Sequence, residues 1–116
     1  MKLDSAVFFT NDLEKASSFH RDVMGFEVEY IQESRFVSFI FPNSAKIGIK
    51  QRKEEREIPG HKTAFIEVEH IEDLFGELQE KGVEIHKELT ELEGFGKHFA
   101  ILDPDKNKIE FVEHKK

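Results

Sequence analysis

The chain has 116 residues, 38% hydrophobic and 35% charged, which suits one domain with a real core and not a disordered chain. Its 24 acidic and 17 basic side chains leave a formal net charge of −7, which argues against nucleic acid or an anionic membrane surface as partner. There is no cysteine, so disulfides, thiolate metal sites and cysteine nucleophiles are excluded. No apolar run approaches the roughly 18 residues of a spanning helix, and Asp4 stands where a secretion signal would start its apolar core, so a cytoplasmic location is expected.

In chain order, Leu3 to Thr10 reads as extended. Asn11-Asp12 offers a helix cap, with Glu14 three residues after Asn11 as in a capping box. Leu13, Ala16, Phe19, His20 and Val23 follow at helical spacing, and Gly25 supplies the stop. Phe26 to Ile31 alternates as a strand, Arg35 to Phe41 is a second, Pro42-Asn43-Ser44 is a turn, and Ala45 to Lys50 is a third. The same order then returns. Thr63 to Val68 is extended, Glu72 to Lys81 is helical, and Gly82 stops it. Val83 to His86 and His98 to Leu102 are strands, Asp103-Pro104-Asp105 is a turn, and Lys108 to Val112 is the last strand.

The two halves align residue on residue. Ala6, Phe8, Thr10 and Leu13 fall on Ala64, Ile66, Val68 and Ile71, Gly25 falls on Gly82, and Pro42, Lys46 and Ile47 fall on Pro104, Lys108 and Ile109. The chain therefore reads as one α+β domain of two βαβββ modules, residues 1–52 and 61–116, joined by a charge-dense linker, 53–60, that ends in Pro59-Gly60. Twelve Phe against one Tyr and no Trp is an excess that points to a Phe-rich core, with some rings left for a pocket or a subunit interface.

These residues carry a resemblance. Asn11-Asp12-Leu13, Phe19-His20 and Val23-Met24-Gly25-Phe26, together with the run Asp103 to Phe111 (DPDKNKIEF), are similar to signatures of the vicinal oxygen chelate superfamily. That superfamily includes glyoxalase, bleomycin-resistance and fosfomycin-resistance proteins and extradiol dioxygenases. His20 departs from a usual Tyr and Lys106 from a usual Gly. A side chain at the second position costs about 1 kcal/mol if φ there is positive.

The resemblance implies a groove formed by curved mixed sheets with the helices outside, built within one chain or across an exchanged dimer. Period-two alternation then directs Ala6, Phe8, Ala64, Ile66, Ile47, Ile49, Ile109 and Phe111 to the helices. Ser5, Val7, Phe9, Gly48, Lys50, Thr63, Phe65, Glu67, Glu110 and Val112 are left for the groove, and Phe39 is expected to join them. Metal-using members place one ligand on the first and one on the last strand of each module. The matching positions here are Ser5, Gly48, Thr63 and Glu110, of which only Glu110 is a competent ligand. No metal cofactor is expected. The fallback set is His61, Glu67 and Glu110.

A carboxylate on an apolar wall needs a partner, and Lys50 is the expected one for Glu110. Glu110 is also the candidate catalytic acid or base. Of the six histidines, His98 begins a strand beside a Gly-rich loop, 93–96, and is a candidate ligand contact. His20, on the first helix, is expected to be a packing or surface residue. Three functions follow. The first is metal-free binding of a small amphipathic or cationic molecule in a Phe-lined groove, by a homodimer. The second is a lyase, isomerase or transferase of the same superfamily with altered ligands. The third is a non-catalytic, protein-binding regulatory module.

Overall fold

A computed structural model describes residues 1–115. The chain divides into two compact units at Gly60/His61. In the first, β1 (Ala6–Thr10) leads into α1 (Leu13–Ser18), followed by β2 (Glu27–Gln32), β3 (Phe36–Ile40) and β4 (Lys46–Gln51). In the second, β5 (Thr63–Glu67) leads into α2 (Ile71–Glu80), then β6 (Glu84–Leu92), β7 (Gly96–Leu102) and β8 (Lys108–His114). Each unit is the expected βαβββ module, with a four-stranded mixed sheet in the order β1-β4-β3-β2 or β5-β8-β7-β6. The first and last strands pair in parallel and the rest antiparallel.

Asp12, not Asn11, is the N-cap of α1, its carboxylate accepting from Lys15 N–H at 3.0 Å. From Phe19 to Val23 the helix widens to π geometry, with Met24 N–H reaching back five residues to Phe19 O at 3.0 Å. The widened turn places the fully buried His20 ring against Phe8, Phe19, Phe26 and Phe39. His20 is a core residue, and its Nδ1 lies 2.7 Å from Ala16 O.

In the second unit Phe99 sits between Phe75 of α2 and Phe111 of β8, with ring centroids 5.0 Å apart in both pairs. No side chain at the start of α2 caps it. Glu113 of β8 does so instead, its two oxygens accepting from His70 and Ile71 N–H at 3.3 and 3.2 Å.

The turn from Asp103 to Asn107 is a structural clasp. Asp103 Oδ1 accepts from the N–H groups of Asp105 and Asn107, Oδ2 accepts from Asn107 Nδ2, and Asn107 Oδ1 accepts from Lys62 N–H. These bonds tie the β7–β8 turn to the entry of β5. Lys106 does adopt positive φ, 69°, which costs about 1 kcal/mol relative to Gly. Its ammonium reaches Glu84 at 2.6 Å.

The strands β6 and β7 run further than the sequence suggests, pairing as far as Leu92 with Gly96. The polar stretch 87–91 hides the strand, because register shifts break its alternation. Gly94, at φ 78°, closes the remaining tight turn.

Candidate functional site

Strand register sorts each sheet into a face under its helix and a helix-free face. In the first unit Val7 pairs with Gly48 and Phe9 with Lys50 on the helix-free face, while Ala6, Phe8, Ile47 and Ile49 take the other. The β3–β4 register adds Phe36 and Ser38 to the helix-free face, opposite Lys50 and Gly48. Phe39, opposite Ile47, lies under the helix, fully buried against His20 and Phe26. It is a core ring and not part of the expected groove wall. The one-residue parity of β3, which its pairing sets, decides this.

In the second unit the helix-free face carries Thr63, Phe65 and Glu67 beside Glu110 and Val112, with Phe65 directly opposite Glu110. His98 and Ala100 complete it from β7. Phe65 is 67% exposed, while His98, Ala100, Glu110 and Val112 are buried. Ser5 precedes β1 and is half-buried.

The expected partners change. Lys50 pairs with Glu57 at 2.5 Å, because the segment after β4 folds back and returns that carboxylate to the strand end. Glu57 also accepts from Lys53 and Glu54 N–H, and these donors together with the ammonium lower its pKa to about 2. Lys50 Nζ stands 5.9 Å from the centroid of the Phe9 ring.

Glu110 is held by His98, whose Nδ1 lies 3.1 Å from Oε1, and Lys108 Nζ is 3.7 Å from Oε2. A carboxylate only accepts, so Nδ1 donates, and in the neutral ring the lone pair sits on Nε2. Nε2 is buried with no hydrogen-bond partner among the described residues. A buried polar atom left so costs about 1–3 kcal/mol.

The four superfamily ligand positions do not fit a divalent metal. Ser5 and Thr63 supply neutral hydroxyls, and Glu110 is already engaged. Gly48 has no side chain, and the place one would take is filled, since a Cβ there would meet Phe36 Cζ at 2.2 Å. Among the described residues no three His, Asp or Glu side chains gather as a metal cluster, so the fallback set His61, Glu67 and Glu110 is not assembled. His61, the first residue of the second unit, has positive φ, 62°, and its N–H is bonded to Lys106 O at 3.3 Å.

A family model described as the Glyoxalase/Bleomycin resistance protein/Dioxygenase superfamily matches residues 2–111. This chain belongs to that superfamily. The chain is similar to the uncharacterized protein YraH of Bacillus subtilis (strain 168), 24% identical over 95% of this chain and 96% of that one. Its fold is similar to lactoylglutathione lyase from Agrobacterium tumefaciens, at TM-score 0.80 and 17% identity over 97% and 92% of the two chains. It is likewise similar to TnmS3, an antibiotic binding protein from Streptomyces sp. CB03234, at TM-score 0.82 and 20% identity over 99% and 97%. The same fold thus occurs in neighbours named as an enzyme and as a binding protein, and fold alone does not discriminate between such roles. Among the described residues no helix is long and apolar enough to cross a membrane.

Proposed function

We propose that this protein binds a small amphipathic molecule without a resident metal ion. The observation that carries the reading is the Phe36 ring beside Gly48, which puts an aromatic wall where a metal-using relative needs a ligand. Phe9 and the exposed Phe65 offer further flat apolar surface on their sheets' helix-free faces. In the second unit His98 and Glu110 lie paired on the same helix-free face as Phe65. The structural neighbour named as an antibiotic binding protein supports the same class of activity. The test is a melting screen of amphipathic small molecules in excess chelator. A ligand should raise the melting temperature in chelator and lose most of that shift in Phe65→Ala. A shift that appears only with added divalent metal would overturn the reading.

A second reading, a lyase, isomerase or transferase of the same superfamily, is favoured by the His98–Glu110 pair. A carboxylate on Nδ1 leaves Nε2 as a proton acceptor, the arrangement a general base requires. Turnover that disappears in His98→Gln while binding persists would select it. The reading of a homodimer is supported by Tyr30 and Ile31 on the outer strand β2 and Leu92 on the outer strand β6, all about half exposed. Sedimentation at micromolar concentration should give twice 13.6 kDa, and a clean 13.6 kDa species would refute it.

A further inference from the structure

We propose that the cavity at the shared end of β3 and β4, wholly within the first unit, binds a small organic anion: a carboxylate or phosphate ester carrying a flat apolar group. The cavity is about 370 Å³, and its lining includes Arg35, Phe36, Lys50, Arg52 and Lys53. Four of its lining residues are cations and none is an acid, in a chain where acids outnumber bases 24 to 17. The net charge of −7 favours a cationic guest only at long range. At contact the local charges govern, because salt screens the rest beyond about 8 Å.

The four cations are unequal. Lys50 is neutralised by Glu57. Arg52 is held by two backbone carbonyls, Nε 3.3 Å from Glu54 O and Nη2 2.6 Å from Glu55 O. Those acceptors carry no net charge, so the guanidinium is oriented and its charge remains available. Arg35 and Lys53 are exposed and make no side-chain ion pair among the described residues. Three uncompensated cations thus flank one opening. The same segment already folds round one anion, since the Glu57 carboxylate receives Lys53 and Glu54 N–H at 2.8 and 3.1 Å. Phe36 supplies the apolar side of the cavity, with Tyr30 stacked on it at 5.9 Å. Planar guanidinium groups suit the two oxygens of a carboxylate or phosphate, and the ring suits the flat remainder. This site goes beyond the metal-free reading above, because its guest is held by Arg35, Arg52 and Lys53, which that reading does not use.

The experiment is calorimetric titration of the full chain with phenyl phosphate, benzoate, inorganic phosphate and benzamidine. At least one aromatic anion should bind about tenfold or more tightly than inorganic phosphate, and which of the two does so identifies the anionic group. Benzamidine, its cationic counterpart, should not bind. Arg35→Ala and Lys53→Ala should each weaken the aromatic anion about tenfold or more, as expected for loss of a charge-assisted hydrogen bond. Lys87→Ala removes an equal charge from an exposed site on β6 and should change nothing. Both cavity positions are exposed, so unliganded melting should match the parent. Benzamidine binding as tightly as the anions, equal weakening by Arg35→Ala and Lys87→Ala, or no binding of either aromatic anion at millimolar concentration would each overturn the proposal.

Discussion

Gly48→Ala is the smallest perturbation that tests whether Phe36 closes the metal position. The added Cβ would lie 2.2 Å from Phe36 Cζ and 2.6 Å from Cε2, so the ring must move. Moving it gives up the Phe36–Tyr30 stacking, worth about 0.5–1.5 kcal/mol, and disturbs packing around a buried strand, at about 1–3 kcal/mol in all. Against this, Ala in a strand is favoured over Gly by about 0.5–1 kcal/mol. The net expectation is a loss of about 1–2 kcal/mol, read from urea midpoints at unchanged slope. With Phe36→Ala already in place the obstruction is gone, and Gly48→Ala should become neutral or stabilising. The change of sign between backgrounds is a coupling energy, and it separates the ring contact from any general intolerance of strand β4. If Gly48→Ala costs the same in both backgrounds, Phe36 does not occupy the position and the argument fails.

Glu57, with its folded-state pKa lowered to about 2, contributes stability that is present above the ordinary carboxylate range and lost as pH falls from about 4.5 towards 2. Glu57→Gln should flatten that part of an acid-denaturation curve. His98→Leu should destabilise by about 2–4 kcal/mol, because it removes the hydrogen-bond partner of the buried Glu110 and leaves only the more distant Lys108, and adding Glu110→Gln should restore part of the loss. Phe8→Ala should cost about 3–5 kcal/mol by chemical denaturation, while the exposed Phe65→Ala should cost less than about 1. Equal losses would make the helix-free face ordinary core.

Most of the fold was legible because its signals are local. Alternation of apolar residues, Gly25 and Gly82 after the helices, and the Asp103 turn are each read within a few residues. The repeat then assigned Gly48 and Glu110 to matching strands, and register places them as expected. What was hidden depends on long-range pairing. His98 reaches Glu110 only through the antiparallel register of β7 and β8, which their sequences do not encode by spacing. Glu57 reaches Lys50 because the charge-dense linker folds back on the end of β4, a contact that the symmetry of the two modules does not encode. Phe39 falls on the helix side because pairing with β4 sets the parity of β3, and one residue of slip would exchange the two faces. The Phe36 ring over Gly48 has no sequence signature, although a Gly at a ligand position did mark that something else must fill it.

Whether the ligand positions hold a metal decides between binding and metal-dependent chemistry. Elemental analysis of protein purified without chelator measures this directly. The expected result is zinc, nickel, manganese and iron all far below one equivalent per chain, unchanged in Glu110→Gln. Near one equivalent of any of them, lost in Glu110→Gln, would contradict the account and make Glu110 a metal ligand after all.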